Sequence, residues 1–151
     1  MTPSREELLA SLRSLLGEDA VVVEPHELER YEKGWRYGRG KALAAVRPPS
    51  TEGVSRLLRH ASSFGLRVVA QGANTGLVGA STPDGSGEML VLSLERLSRT
   101  LEVDPVDRTV TADGGVLLSR IDAALAEHGL LFPIDLGADP SIGGMVATNT
   151  G

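Results

Sequence analysis

The sequence contains no cysteine. Disulfide bonds, thiolate catalysis and cysteine-ligated zinc or iron–sulfur centres are therefore excluded within this chain. Aromatic residues make up only 3% of the chain, so it lacks the rings on which single-stranded nucleic acids stack. The formal net charge of −5 also argues against a nucleic-acid binder, because the neutralisation of phosphates requires clustered lysine and arginine. No nucleic-acid partner is expected.

Long apolar runs are missing as well. A membrane-spanning helix needs about 20 consecutive apolar residues, and no segment approaches that length. The first residues, MTPSREELL, contain no apolar run of signal-peptide length. We therefore expect a protein without a transmembrane segment. A cytoplasmic location is also expected, and the absence of cysteine is compatible with it.

The apolar pattern predicts helices and strands in alternation. A helix is expected over Ser4–Leu16, since Ser4 and Glu7 have capping-box spacing. The later elements are a short strand at Val21–Val23, a short helix and a loop within Glu24–Gly40, a strand at Ala42–Arg47, a helix from Ser50 or Thr51 to Phe64, strands at Leu66–Ala70 and Met89–Ser93, a hairpin of Thr100–Asp104 with Thr109–Asp113, a helix at Leu117–His128 and a strand at Leu130–Pro133. The strand–helix–strand order over residues 42–70 predicts two parallel strands.

These elements predict an α+β fold of two small α/β lobes. The first lobe, about residues 1–82, would hold a βαβ parallel sheet, and the second, about residues 88–151, a mixed sheet with a helix. The turn-forming sequence TPDGSG, Thr82–Gly87, is the expected boundary. Because the last residues, MVATNTG, supply no closing helix or strand, we expect a domain that is incomplete at its C-terminus.

A glycine-rich loop, AQGANTGLVGAS, runs from Ala70 to Ser81 directly after a predicted strand. Successive backbone N–H groups in such a loop can converge on an anion, and Asn74, Thr75 and Ser81 could add side-chain donors. The loop lacks the Gly-Lys-Ser/Thr ending of a Walker motif. Its spacing is GxxxGxxG and TPDGSG follows it, so the GxGxxG fingerprint that opens a helix is absent too. On this loop alone, a phosphate site and a plain turn are equally supported.

A second glycine-rich stretch extends from Asp135 to Gly151. Two such loops in a small protein suggest a ligand with two ends, such as a dinucleotide. Three segments in this order, RPPSTEGVSRLLRHA, AQGANTGLVGAS and FPIDLGADPSIGGMVATNTG, resemble the N-terminal part of the FAD-binding domain of the vanillyl-alcohol oxidase superfamily (the p-cresol methylhydroxylase type). Within it, the chain is similar to D-lactate dehydrogenase, the glycolate oxidase FAD subunit and D-2-hydroxyglutarate dehydrogenase. The resemblance covers essentially the whole chain.

The resemblance implies that both loops bind FAD. The first loop would hold the diphosphate, and the second would line the flavin and its ribityl or diphosphate path. The implied cofactor-binding residues are Gln71, Gly72, Ala73, Asn74, Thr75, Gly76, Leu77, Gly79, Ala80 and Ser81 in the first loop, and Pro133, Ser141, Ile142, Gly143, Gly144, Thr148 and Asn149 around the second. The family loop often ends in Gly-Gly, where this chain has Gly79-Ala80; alanine still allows a close approach.

The histidines and the aromatic segment give weaker indications of a functional site. Some relatives attach flavin through His or Cys, but His60 and His128 are predicted on helices away from the loops, so FAD is expected to bind non-covalently. His26, His60 and His128 are too dispersed for a metal site, and no metal is expected. The segment around Trp35 and Tyr37 is interpreted as a surface loop in preference to a substrate or cofactor entrance.

The resemblance implies an FAD-dependent oxidoreductase that oxidises a small D-2-hydroxy acid such as D-lactate, glycolate or D-2-hydroxyglutarate. In such enzymes the catalytic base, and in some a metal, belong to a C-terminal substrate domain, so this chain would contain no catalytic residue and be inactive alone. Two alternatives stay open: another flavoenzyme of the same fold, such as an enolpyruvyl-sugar reductase or sugar-alcohol oxidase, and a non-catalytic flavin-binding fragment or electron-transfer subunit.

Overall fold

A computed structural model describes residues 4–150. Gly151, the last residue of the predicted second loop, lies outside the described residues. The elements are α1 (Arg5–Leu16), β1 (Val21–Val22), α2 (Pro25–Glu32), β2 (Ala42–Val46), α3 (Thr51–Ser63), β3 (Val68–Gln71), β4 (Met89–Ser93), β5 (Leu101–Asp104), β6 (Thr109–Ala112), α4 (Leu118–Ala126) and α5 (Ile142–Ala147). The α+β class predicted from the sequence is confirmed.

The first sheet has four strands in the order β1-β2-β4-β3. Strand β4 is parallel to both of its neighbours, and β1 pairs antiparallel with β2 at the edge. The carboxyl ends of β2, β3 and β4 therefore lie along one edge of the sheet. In open α/β sheets, ligands bind outside this edge.

Helices cover both faces of this sheet. Leu12 of α1 and Leu57 of α3 pack with Leu90 of β4 in one buried cluster. Leu28 and Tyr31 of α2 pack with other sheet residues in a second cluster. Burial on both faces explains why every residue of β2 is buried and why its sequence, ALAAV, does not alternate between polar and apolar residues.

The helix ends follow local sequence signals. Ser4 and Glu7 form the predicted capping box of α1, and the Ser50 side chain accepts the N–H of Gly53 at the start of α3. Both contacts satisfy N–H groups that have no partner within the helix. These two helix starts were correctly predicted because each depends on residues three positions apart.

The second unit is a two-stranded antiparallel sheet of β5 and β6 packed against α4. Ile121 and Leu125 of α4 form a core with Val116, and half-buried side chains of the hairpin, including Val103 and Val110, pack against it. The observed sheet in this unit is thus a hairpin, whereas a mixed sheet was predicted.

Strand β4 overturns the predicted division of the chain at Thr82–Gly87. It was assigned to the second lobe, but it lies in the middle of the first sheet, between β2 and β3. The turn-rich segment is also packed against the first sheet: Lys41 donates its N–H to the Asp84 carbonyl at 2.7 Å, and a β-carbon on Gly40 would lie 1.9 Å from the Pro83 carbonyl oxygen. The segment is therefore a connection within one sheet.

Two further expectations differ from the structure. Residues 130–133 form no strand; Leu130 and Phe132 instead pack against the core beside α4. The second glycine-rich stretch contains the short helix α5, which was not predicted. Gly143 and Gly144 lie in its first turn, and glycine is a poor helix former, so the local sequence gives little indication of this helix.

Candidate cofactor site

The two glycine-rich segments meet beside the carboxyl edge of the parallel strands. The first follows β3 without a break, from Gly72 to Ser81. A β-carbon built on Gly72 would lie 2.2 Å from Oγ of Ser141, the residue that begins α5. The contact is closer than any side chain at position 72 permits, so the glycine is what allows the second segment to pack onto the first.

The first loop has a run of backbone N–H groups without a partner in the protein. None of those from Gly72 to Ser81 donates a hydrogen bond to another of residues 4–150, and the next donor is Thr82, to the Gly79 carbonyl at 3.2 Å. Asn74 and Gly79 have positive φ angles of 58° and 69°, which turn the backbone inside the loop. Unpaired N–H groups are rare in folded proteins unless water or a ligand takes them, so this loop is suited to an anion.

Side chains of the same loop hold it in place. Nε2 of the buried Gln71 donates to the carbonyls of Tyr31 and Ser81, both at 2.9 Å. Nδ2 of Asn74 donates to the carbonyls of Arg30 (3.2 Å) and Lys33 (2.8 Å), while its Oδ1 accepts the Ser81 hydroxyl at 2.9 Å. The carboxamide of Asn74 and the hydroxyl of Ser81 are thus engaged with the protein and anchor the loop to the end of α2.

The N–H groups at the start of α5, unlike those of the first loop, have hydrogen-bond partners within the protein. Ile142 donates to the Val116 carbonyl and Gly143 to the Gly114 carbonyl, both at 2.8 Å, and the N–H of Gly144 reaches Oγ of Ser141 at 3.3 Å. The start of this helix is therefore satisfied within the chain. Its contribution to the site is to support the first loop.

Other predicted residues near α5 lie at its far end or on the surface. The Thr148 hydroxyl donates to the Gly144 carbonyl at 2.9 Å, and the N–H of Asn149, which has a φ of 50°, donates to the Val146 carbonyl at 3.2 Å. Both residues end α5. Pro133 is exposed, as are Gly76, Leu77 and Ala80 at the outer part of the first loop.

Two cavities flank the first loop, and Ala73 lines both. The smaller has a volume of about 190 Å³ and lies between the first loop, the segment after β4 and the start of α4. Its lining residues are Gly72, Ala73, Glu95, Ser98, Gly115, Leu117 and Arg120. The larger cavity, about 550 Å³, lies towards α2 and the loop that follows it.

Glu95, in the lining of the smaller cavity, is the centre of a charged cluster. Its Oε1 accepts the Tyr31 hydroxyl at 2.9 Å and is paired with Arg30 at 3.0 Å and Arg47 at 3.3 Å. Burial, followed by the charge of Glu95 and the hydrogen bond to it, raises the pKa of Tyr31. Two guanidinium groups face one carboxylate, so the cluster carries net positive charge beside the loop.

This charged cluster was not predicted from the sequence. Arg47 and Glu95 follow β2 and β4 at the carboxyl edge, and they become neighbours only because those strands are adjacent in the sheet. The signal available in the sequence was a charged residue within two positions of the end of each apolar strand. Without the strand order, nothing connects the two.

Residues that were not predicted to belong to the cofactor site make structural contacts. Nε2 of His60 lies 3.0 Å from the Ser11 hydroxyl, and its ring centroid is 4.8 Å from that of Phe64, so it joins α3 to α1. Asp139 accepts both the N–H and the hydroxyl of Ser119 and thereby ties the second segment to α4. Over residues 4–150, no group of three His, Cys, Asp or Glu side chains is placed to hold a metal ion. No helix in that range is both long and apolar enough to cross a bilayer.

Comparison with known proteins assigns a family to this arrangement. A family model described as FAD binding domain matches residues 42–151. The chain is 39% identical over 146 residues to D-2-hydroxyglutarate dehydrogenase of Xanthomonas citri pv. viticola, a match covering 95% of this chain and 30% of the relative. It is 36% identical over 151 residues to the mitochondrial D-2-hydroxyglutarate dehydrogenase of Bos taurus, covering 98% of this chain and 27% of the relative.

The fold is also that of a solved structure. The crystal structure of p-cresol methylhydroxylase with substrate bound matches with a TM-score of 0.68 and 21% identity, covering 83% of this chain and 25% of that one. This likeness supports the predicted fold type. The chain thus spans less than a third of the length of each of these proteins. Its cytoplasmic location stays a prediction, since the bovine relative is named as mitochondrial.

Proposed function

Because this chain belongs to the FAD binding domain family and takes FAD as its cofactor, we propose that the loop after β3 binds the FAD diphosphate. The run of unpaired N–H groups from Gly72 to Ser81 is the observation that carries this proposal. A hydrogen bond from an N–H group to a charged oxygen contributes about 1.5–3 kcal/mol. A few of these groups are therefore sufficient to bind the diphosphate stably.

The surroundings of the loop fit an anionic group. The Glu95 cluster has an excess of positive charge, and Arg120 also lines the smaller cavity. Gly76 lies at the exposed part of the loop, and a β-carbon there would meet nothing within 4 Å. Phosphate oxygens can therefore approach the backbone at this position without displacing a side chain.

The contacts of the loop indicate different roles for its backbone and its side chains. The backbone N–H groups of Gly72 to Gly79 would bind the diphosphate, while the side chains of Gln71, Asn74 and Ser81 hold the backbone in the shape that exposes them. In the second segment, Ser141 would set the distance between the first loop and α5. The flavin and its ribityl chain would lie along the residues Pro133, Ser141, Ile142, Gly143, Gly144, Thr148 and Asn149.

Attachment of the flavin is proposed to be non-covalent. The chain has no cysteine. His60 is occupied between α1 and α3 by Ser11 and Phe64, and His128 follows α4 at the end of the second unit. Neither of these two imidazoles lines the cavities beside the first loop, whereas His26 lines the larger of the two.

The chain is proposed to act in a flavin-dependent oxidoreductase that oxidises a small D-2-hydroxy acid such as D-lactate, glycolate or D-2-hydroxyglutarate. FAD, when bound, accepts the hydride. The residues described here bind and orient the cofactor, and no catalytic acid or base is assigned among them. We therefore expect cofactor binding but no turnover from the 151-residue chain.

Titration of the purified chain with FAD tests the binding proposal directly. Binding is expected to shift the flavin absorbance bands and to change flavin fluorescence in a saturable way, and the flavin is expected to leave on denaturation. Flavin that remains attached after denaturation would contradict non-covalent binding. A chain that gives no saturable change would contradict the assignment of the loop.

A further inference from the structure

Arg30 and Tyr31, in the last turn of α2, each contact Glu95 with the side chain and the first glycine-rich loop with the carbonyl. The Tyr31 hydroxyl donates to Oε1 of Glu95 at 2.9 Å, and the Arg30 guanidinium pairs with the same oxygen at 3.0 Å. The Tyr31 carbonyl accepts a hydrogen bond from Gln71 at 2.9 Å. The Arg30 carbonyl accepts one from Asn74 at 3.2 Å. Two adjacent residues therefore connect one carboxylate to two side chains that hold the loop.

This connection closes into a ring through the ends of β3 and β4. Gln71 is the last residue of β3, and the first loop continues directly from it. Its carbonyl accepts the N–H of Leu94, the neighbour of Glu95, at 2.9 Å. The residue from which the loop starts is thus bound to the segment after β4 through its backbone and to α2 through its side chain. Since α2 is itself bound to Glu95, the three segments support one another.

The Tyr31 side chain is enclosed on all sides. It is only 3% exposed and packs with Leu28 of the same helix and with Ala45 and Val91 of the sheet. The Arg30 guanidinium lies over its ring, 4.4 Å from the centroid. A hydroxyl that donates to a carboxylate makes a shorter and stronger hydrogen bond than one between neutral groups. Packing of the ring and the bond to Glu95 therefore restrict the last turn of α2.

On the premise of the proposed function, we propose that Glu95 and Tyr31 are positioning residues of the diphosphate loop, and that Glu95 acts on the loop through α2. The N–H groups of residues 72–81 converge on one diphosphate only while the loop backbone keeps its shape. Loss of the contact between Tyr31 and Glu95 frees the end of α2, and with it the carbonyls that hold Gln71 and Asn74. Ordering the loop then costs free energy during binding, and the affinity falls.

The charge of Glu95 acts on FAD binding in the opposite direction to its positioning role. A carboxylate beside the loop repels a diphosphate, and its removal leaves the guanidinium groups of Arg30 and Arg47 without this partner. If charge alone mattered, Glu95→Ala would strengthen FAD binding. The positioning role predicts weaker binding by Glu95→Ala. It places Glu95→Gln between that variant and the wild type, because the glutamine oxygen can still accept the Tyr31 hydroxyl. Tighter binding by Glu95→Ala would overturn the proposal.

Tyr31→Phe separates position from charge, because it removes one hydroxyl and leaves the ring and the formal charge unchanged. We expect FAD binding to weaken about fivefold, the effect of a lost hydrogen bond of about 1 kcal/mol. Tyr37→Phe is the matched control, since Tyr37 lies in the loop after α2 and is 63% exposed, and it should bind FAD like the wild type. In an Asn74→Asp background, where the loop is already released from α2, Tyr31→Phe should have a smaller effect. Full additivity of the two losses would overturn the proposal.

Nuclear magnetic resonance of the loop glycines gives a readout that does not require FAD. The amide resonances of Gly72, Gly76 and Gly79 report the shape of the loop backbone. In Tyr31→Phe they are expected to shift, although the removed hydroxyl is bonded to side chains outside the loop, whereas in Tyr37→Phe they should keep their positions. A purely structural role of Tyr31 would lower the midpoint of urea denaturation and leave these resonances of the folded state in place.

The outcomes separate this proposal from the function on which it depends. Unchanged FAD affinity or unchanged glycine resonances in Tyr31→Phe would overturn the positioning role while leaving the diphosphate loop standing. A wild-type chain that binds no FAD would overturn both.

Discussion

Gly72 and Ser141 lie so close that a β-carbon at position 72 would come within 2.2 Å of the serine hydroxyl oxygen. The same hydroxyl accepts the N–H of Gly144 at 3.3 Å and caps α5. One oxygen atom therefore both starts the helix and sets the distance between the two glycine-rich segments. The site depends on the absence of a side chain at one position and the presence of a hydroxyl at the other.

Gly72→Ala should force the two segments apart. Overpacking of this kind costs about 1–3 kcal/mol, and we expect a loss of that size in the free energy of unfolding, measured by urea denaturation, together with weaker FAD binding. Ser141→Ala removes the clashing oxygen and leaves the Ser141 β-carbon 3.5 Å away. The double variant should therefore lose less than the sum of the single variants. Additive losses would contradict the contact.

Asn74→Asp should weaken the anchor of the first loop. Aspartate has nearly the same size as asparagine and also tolerates a positive φ. The substitution, however, places a carboxylate oxygen against the Arg30 and Lys33 carbonyls where the amide NH2 group of Asn74 donates hydrogen bonds. We expect a loss of about 1–3 kcal/mol in the free energy of unfolding without FAD, from unsatisfied polar atoms. Asn149→Asp is the control, since Asn149 also has a positive φ and its side chain makes no hydrogen bond to residues 4–150. Equal losses would argue against the anchoring role.

Gly76→Asp should reduce FAD affinity without unfolding the chain. A β-carbon at position 76 meets nothing within 4 Å, so the fold should tolerate the side chain. The added carboxylate would repel the diphosphate, and charges at about 4 Å in partly screened surroundings interact by roughly 1–4 kcal/mol. We therefore expect at least a fivefold loss of affinity that shrinks with added salt. Gly85→Asp introduces the same charge at another open position and should bind FAD normally. Normal binding by Gly76→Asp would remove this loop from consideration as the diphosphate site.

Glu95→Gln should lower the pKa of Tyr31. Burial is the first cause of the raised pKa, and the charge and hydrogen bond of Glu95 add to it, so the pKa should fall but stay above its usual value. The chain has two tyrosines, and the Tyr37→Phe background isolates Tyr31 in an ultraviolet titration of tyrosinate. An unchanged titration curve would mean that Glu95 does not contact Tyr31 in solution.

Asp113 should contribute to the acid sensitivity of the fold. Its carboxylate accepts the N–H groups of Thr100 and Arg99, at 2.8 and 2.9 Å, and these bonds, chiefly that of Thr100, lower its pKa. A carboxyl group with a lowered folded-state pKa stabilises the protein above its unfolded value of about 3.9 and loses this contribution as the pH falls through the folded value. Asp113→Asn should therefore flatten the dependence of unfolding free energy on pH below about pH 4.

Asp107→Asn supplies the comparison for that measurement. Asp107 lies in the turn of the same hairpin, and its carboxylate accepts no hydrogen bond from the described residues. The variant changes the net charge equally, so it controls for general electrostatics. If both variants flatten the pH dependence to the same extent, the hydrogen bonds of Asp113 are not the cause.

The two glycine-rich segments could be recognised from the sequence because each is a continuous run of residues. Which of their backbone N–H groups are hydrogen-bonded within the protein could not be predicted from the sequence. Gly72–Ser81 and the start of α5 are both rich in glycine. The N–H groups of the first segment donate to no other residue within 4–150, while those of Ile142 and Gly143 donate to the carbonyls of Val116 and Gly114. The difference depends on which carbonyls lie nearby after folding, and these belong to residues distant along the chain.

Local sequence by itself determined the helix starts at Ser4 and Ser50 and the β5–β6 hairpin, because the hydrogen bonds that form them join residues near each other along the chain. Only the tertiary structure decided that β4 enters the sheet between β2 and β3, that Glu95 meets Arg47, and that Ser141 closes on Gly72. These contacts join residues tens of positions apart, and they form because burying the apolar strand β4 on both faces stabilises the fold more than leaving it at an edge would.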